Sequence, residues 1–382
     1  MTDGFQIFKI SGIPIRIHSS WFIVFFLVAW TLAGGYFPSR IPGVPTAHLW
    51  GLSVATALLF FSSILLHELA HSYVARRYGI VIRGITLFIF GGVAQMAGES
   101  RSPKAEMRIA AAGPLLSFGL SGLFYGVAVL QGEGGGSASV EAVSRFLTYT
   151  NGLLALFNLI PGFPLDGGRI LCAILWNYSG NLRKATRITS RIGKGFAISL
   201  MLLGGLEVLQ GYLLNGLWLV FIGFFLQQAA EAGYRNLLLR ESLAALRVAD
   251  IMKAPVITVS PDMSLEEVVN QYFFRYRFNA FPVTSGAGMV GMISLNDVKA
   301  VSRDRWSGVN VAGAMDRDLD ANTISAEAGV LNALEKMVEK EKGRLAVTSG
   351  RDLVGILSQR DIMQATKVRV DLGGEPGGGV KK

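Results

Sequence analysis

Charge is scarce in this sequence, and unevenly so. Of 382 residues only 16% are Asp, Glu, Lys or Arg, against roughly 25% in an ordinary soluble domain. Cysteine occurs once, at Cys172. That excludes an intrachain disulfide scaffold and a zinc site made of cysteines alone. Histidine occurs four times, as His18, His48, His67 and His71. Residues 1–230 hold 16 basic and 8 acidic side chains, whereas residues 231–382 hold 20 and 19. A charge-poor part joined to an ordinary part excludes a single water-soluble domain and a disordered chain. The length allows two or three domains.

What fills the first part is apolar sequence. Uncharged stretches run over 19–39, 49–66, 109–132, 146–165, 195–206 and 208–230. About 20 apolar residues cross a bilayer as a helix, so six spans are expected near 20–38, 50–74, 108–130, 147–176, 190–209 and 212–231. The first run is span-length without a small-residue cleavage site, so no cleavable signal peptide is expected. Fourteen of the 16 basic residues fall on one set of alternate loops, leaving Arg40 and Arg145 on the other. This bias predicts an inner-membrane protein with both termini in the cytoplasm. A buried-core helical protein would need neither these runs nor this alternation.

Between spans two and three, residues 79–101 are β-rich and glycine-interrupted. Residues 8–18 read as a short strand pair around Gly12-Ile-Pro. Strands at membrane depth must be paired or covered, so a small membrane-associated sheet is expected, with 87–96 as its edge strand.

Ionisable groups inside spans are functional candidates by default. Span two contains His67-Glu68-Leu69-Ala70-His71, an H-E-x-x-H pattern. Residues i and i+4 share a helix face, so both imidazoles can hold one metal ion with Glu68 beside it as general base. Zinc needs a third protein ligand and an open position. Asp166, in Asn158-Leu-Ile-Pro-Gly-Phe-Pro-Leu-Asp166-Gly-Gly-Arg, is the only acid between Glu141 and Glu207. Pro161 and Pro164 break the helix before it. The plainer alternative for Asp166 is a helix cap or an ion pair with Arg169. His18 reads as an interfacial side chain, and Cys172 as packing.

These paired motifs resemble the site-2 proteases, intramembrane zinc metalloproteases. Phe90-Gly-Gly-Val, Ala111-Ala-Gly-Pro114 and Gly12-Ile-Pro-Ile-Arg-Ile-His are similar to that family too. The resemblance covers about 1–230 and points to the bacterial and archaeal branch with cytoplasmic CBS domains. It implies His67, His71 and Asp166 as zinc ligands and Glu68 as the base. It also implies Asn158 as the amide that holds the substrate backbone or the developing oxyanion. Substrates would be single-span membrane proteins cleaved within their transmembrane segments. Ala70 departs from the glycine frequent in that family.

The second part repeats itself. Val283-Thr-Ser-Gly recurs at Val347, and Gly291-Met-Ile-Ser294-Leu-Asn-Asp297 recurs as Gly355-Ile-Leu-Ser358-Gln-Arg-Asp361. Each copy reads strand, helix, strand, strand, helix, with the first copy's elements at 256–259, 265–276, 280–283, 289–293 and 295–300. A pseudo-twofold pair with one shared core is expected. The segment over 248–367 looks like a tandem CBS pair. That resemblance implies an ATP- or AMP-type nucleotide, with Asp297 and Asp361 on ribose and Ser294 and Ser358 on phosphate. Such pairs also serve as dimerisation devices, and each aspartate also suits a helix start.

The expected plan is thus a multi-pass α-helical membrane domain with a small sheet over 1–231 and a helical connector over 232–247. Two α/β CBS domains follow, over 248–305 and 306–367, and then a disordered tail over 368–382. Two competing readings are a CBS-regulated transporter or channel, which needs polar residues spread along a path, and an inactive scaffold, which the full set of catalytic residue types opposes. Nucleic-acid binding is not expected, because the basic excess lies in membrane loops.

Overall fold

The computed structural model describes residues 4–371, apart from Phe90, Glu99, Arg101, Ala245, Ala287 and Arg351. The chain divides into two compact units, Met1–Tyr234 and Arg235–Lys382.

The first unit is inverted relative to a soluble domain. Large apolar side chains such as Phe22, Phe26, Leu58, Leu115 and Phe224 are exposed, while Ser53, Thr56, Ser63, His67, His71, Ser117, Asn151 and Asp166 are buried. That distribution suits a lipid surround. Ser53, Thr56 and Ser63 satisfy themselves by donating to carbonyls one turn back, as hydroxyls inside helices do.

Among the described residues five helices are long and apolar enough to span a membrane: Ser19–Arg40, Thr46–Arg77, Pro103–Glu133, Leu182–Leu209 and Leu213–Glu241. The six-span expectation is therefore approximate. The fourth expected span, 147–176, is two helices, Ala138–Asn158 and Asp166–Ser179. Pro161 and Pro164 lie between them and cannot donate backbone hydrogen bonds. Gly167 and Gly168 start the second helix against the preceding bend, where a Cβ would stand 2.1 Å from the Leu159 carbonyl oxygen and 2.3 Å from the Gly162 carbonyl carbon.

Four strands form one sheet in the order β1 (Gly4–Ile10), β2 (Ile13–His18), β3 (Val81–Phe88) and β4 (Gly91–Ala97). The central β2–β3 pair is parallel and the outer pairs antiparallel. Ile13, Ile15 and Ile85 are buried against Leu65 and Leu69 of helix Thr46–Arg77. The expected strand 87–96 is corrected: β3 ends at Phe88, and the edge strand beside it is β4. Phe90 lies outside the described residues. His18 caps helix Ser19–Thr31, its Nδ1 accepting from the Ser20 amide at 3.2 Å.

The second unit holds β5 (Ala280–Ser285) paired with β6 (Gly288–Ser294), and a sheet of β7 (Thr323–Ser325), β8 (Arg344–Ser349) and β9 (Asp352–Ser358). The expected strand 256–259 is corrected to one bridge, Val259 to Val283. Pro255 and Pro261 flank that segment and supply no amide donor. Each copy has its own core, one around Phe281 and Ile293 and one around Leu345 and Leu357. The single shared core is thus corrected to two cores joined by Ala280, Met292 and Ala346. The copies also exchange their opening residues: Met252 packs on Gly355 and Met315 on Gly291. The last helix, Gln359–Asp371, passes the expected boundary at 367. Residues 372–382 of the expected tail lie outside the described residues.

Candidate metal centre

His67 and His71 stand one turn apart on helix Thr46–Arg77, the most enclosed of the candidate spans. Asp166 is the first residue of the helix after the proline break. All three are buried, and one ligand atom from each lies within 4.8 Å of the others. Asp166 Oδ2 is 3.2 Å from His67 Nε2 and 3.1 Å from His71 Nε2, and the two Nε2 atoms are 3.2 Å apart.

The other ring nitrogens settle what these atoms offer. His71 Nδ1 donates to the Ile109 carbonyl at 2.7 Å, which uses the one N–H of a neutral imidazole. In the neutral ring Nε2 then carries a lone pair, the form that binds a metal ion. His67 Nδ1 pairs with Ser117 Oγ at 2.9 Å. Lone pairs converging at this range repel unless a cation lies between them. Space is kept as well: a Cβ on Gly113 would stand 2.2 Å from His71 Nε2 and 2.6 Å from His67 Nε2. Two imidazoles, one carboxylate and a kept cradle fit a zinc site with an open position. Ile109, Gly113 and Ser117 all belong to helix Pro103–Glu133, so one helix orients both histidines.

Glu68 is half-buried beside this cluster. A Cβ on Gly92 would come within 2.5 Å of Glu68 Cγ. Edge strand β4 thus passes directly against the expected base. Asn158 ends helix Ala138–Asn158 and donates to the Leu154 carbonyl at 3.0 Å. Among the described residues it forms no hydrogen bond with the histidine–aspartate cluster. Arg169 pairs with Glu106 at 2.8 Å rather than with Asp166. Cys172 is buried against Thr186. Sequence reasoning missed Ser117 and Ile109, and what Gly92 and Gly113 face. Phe90-Gly-Gly-Val and Ala111-Ala-Gly-Pro114 carried a signal, but neither said what its glycine packs against.

In the second unit, Ser294 and Asp297 form a capping box, as do Ser358 and Asp361. Each pair borders a cleft. One, of about 550 Å³, is lined by Ser294, Asp297, Asp316, Lys342 and Arg344. The other, of about 410 Å³, is lined by Lys253, Tyr276, Phe278, Ser358, Arg360 and Asp361. Among the matched positions at which the clefts differ are Lys253 and Asp316. Lys253 bridges to Ile356 and Asp316 to Met292, matched residues of the two copies. Lys253 Nζ reaches Asp361 Oδ1 at 2.7 Å. Asp316 instead accepts from Lys342 Nζ at 2.6 Å and Asn322 Nδ2 at 2.7 Å. Burial raises the Asp316 pKa, but these hydrogen bonds outweigh it and hold the carboxyl at about 2. Asp361 is likewise held below its ordinary value, burial being outweighed by Lys253 and Ser358.

The sequence model for peptidase family M50 matches residues 55–145 and 134–202, and that for the CBS domain matches 248–304 and 311–367. The Rip3 protein of Mycobacterium tuberculosis is 34% identical over 370 residues, covering 96% of this chain and 94% of its own. The zinc metalloprotease MJ0392 of Methanocaldococcus jannaschii is 32% identical over 376 residues, 96% of this chain and 97% of its own. A site-2 protease structure from Methanocaldococcus jannaschii is similar at 34% identity and a TM-score of 0.42, covering 61% of this chain and 95% of that one.

Proposed function

The chain belongs to peptidase family M50, and on that premise we propose how its residues act. It is a multi-pass membrane protein and an intramembrane zinc metalloprotease of the site-2 protease type, with a CBS-domain pair. The observation that carries the assignment of residues is the convergence of His67 Nε2, His71 Nε2 and Asp166 Oδ2 under Gly113, with Glu68 alongside. A zinc ion held there supplies Lewis-acid activation of a water molecule and of the scissile carbonyl. Glu68 takes the proton from the attacking water and returns it to the leaving amine. Asn158, at the end of its helix, is the amide donor for the substrate backbone or the oxyanion. Buried ionisable groups of this unit gather at one centre, whereas a conduction path would spread them.

A substrate helix hides its carbonyls in its own hydrogen bonds and must open locally. Edge strand β4, against Glu68 at Gly92, is the surface that would take the opened segment as an added strand. Successive strand amides alternate in direction, so one of Val93 and Ala94 faces the free edge. Proline at that position removes one intermolecular hydrogen bond. It should raise KM for a single-span substrate about three- to tenfold, while proline at the other breaks the β3 pairing. Full cleavage by both variants would remove β4 from the mechanism. The loop bias of basic residues supports cytoplasmic termini, CBS pair included, in the inner membrane.

For the CBS pair we propose an adenosine nucleotide, and the Asp361 cleft is the better furnished. Tyr276 and Phe278 offer faces for a base, Lys253 and Arg360 suit phosphate, and Asp361 suits ribose hydroxyls. In the other cleft the matched Ser294 and Asp297 keep the signature, but the lining has no aromatic side chain. Asp361→Asn should weaken ATP binding about ten- to a hundredfold by calorimetry, with Asp297→Asn reporting on the other cleft. Unchanged binding in both variants would refute the ribose assignment.

A further inference from the structure

One ion pair of the membrane unit is not used by the mechanism above. Arg169 Nε donates to Glu106 Oε1 at 2.8 Å, with the two side chains only 24% and 20% exposed. Charges inside an apolar bundle are costly and are retained where they are paired. The position of this pair is informative. Glu106 precedes Ile109 by three residues, Gly113 by seven and Ser117 by eleven. That spacing places all four on one face of helix Pro103–Glu133. The other three are the residues that orient His71, keep the ion's space and orient His67. Arg169 lies three residues after Asp166, on the same face of its helix.

The Asp166 helix needs such a tether. Its N-cap is Leu165, which makes no side-chain capping bond. It follows the bend that contains Pro161 and Pro164, and its first residue is itself the third ligand. We propose that Glu106 and Arg169 are a positioning pair for the metal centre. The pair clamps the first turn of the Asp166 helix to the helix that orients both imidazoles. It thereby holds Asp166 Oδ2 at the point of convergence. This inference rests on the zinc reading of that centre.

The test uses purified full-length protein. Zinc affinity is measured by chelator competition, the melting temperature is measured without zinc, and kcat and KM are measured on a single-span substrate. Arg169→Gln and Glu106→Gln should each lower zinc affinity about 10–100-fold, the effect of losing an outer partner of a metal ligand. They should lower kcat with little change in KM. The exchanged pair, Glu106→Arg with Arg169→Glu, should recover part of both losses. Should the neutral variants fail to fold, Arg169→Lys and Glu106→Asp keep the charges and alter the reach, and a smaller fall in zinc affinity is expected. Folded variants that melt lower yet keep wild-type zinc affinity and kcat would make the pair merely structural and overturn the proposal. Asp166→Asn separates the premise: wild-type zinc affinity in that variant overturns the metal-site reading itself.

Discussion

Alanine at Gly113 will abolish zinc binding and proteolysis together while leaving the fold intact. The added methyl would stand 2.2 Å from His71 Nε2 and 2.6 Å from His67 Nε2, distances that no carbon–nitrogen contact tolerates. It would occupy the space towards which both imidazoles and Asp166 point. Both rings would have to turn away, and their Nδ1 partners, the Ile109 carbonyl and Ser117 Oγ, oppose that. The loss of zinc affinity should exceed the roughly 10–100-fold typical of an outer-partner change. Alanine otherwise favours a helix interior over glycine by about 1 kcal/mol, which offsets part of the cost of turning the rings, so the zinc-free protein should still fold. Gly119 on the same helix is the control, because a Cβ there meets nothing within 4 Å. Gly119→Ala should bind zinc and cleave normally. Normal zinc content in Gly113→Ala would mean that the ion sits elsewhere.

Glu68→Gln separates catalysis from metal binding. The amide keeps the size of the carboxylate beneath Gly92 but cannot take a proton from water at neutral pH. General acid–base catalysis contributes about 10²–10⁴-fold, and kcat should fall by that factor. Glu68 is outside the converging set of His67, His71 and Asp166, so zinc content should stay at the wild-type level. Substrate should bind with little change in KM and accumulate uncleaved. A variant that lost zinc would make Glu68 a ligand instead of a base.

The parts of this site that were legible in the sequence are those set by local periodicity or by rarity. His67 and His71 share a face because a helix repeats every 3.6 residues. Asp166 stood out because acids are almost absent around it. What stayed hidden depends on chain segments distant in sequence. That Gly113 faces two imidazoles, that Gly92 lies on Glu68, and that Ile109 offers a carbonyl to His71 follow only from packing. The uncharged run over 146–165 read as part of one span by hydropathy, while its two prolines already marked the break that separates the two helices. The segment 256–259 has a strand's composition, yet only Val259 reaches a partner. In the CBS pair the repeat was legible, but the exchange of Met252 and Met315 between copies was not.

The central claim is that zinc at His67, His71 and Asp166, with Glu68, hydrolyses a peptide bond inside a transmembrane segment. Its most direct test is mass spectrometry of the products formed from a single-span substrate by the purified protein in heavy-oxygen water. The account predicts a new carboxyl terminus within the apolar segment, carrying heavy oxygen, lost on zinc chelation and restored when zinc is returned. Cleavage confined to the flanking soluble residues, or cleavage indifferent to chelation, would contradict it.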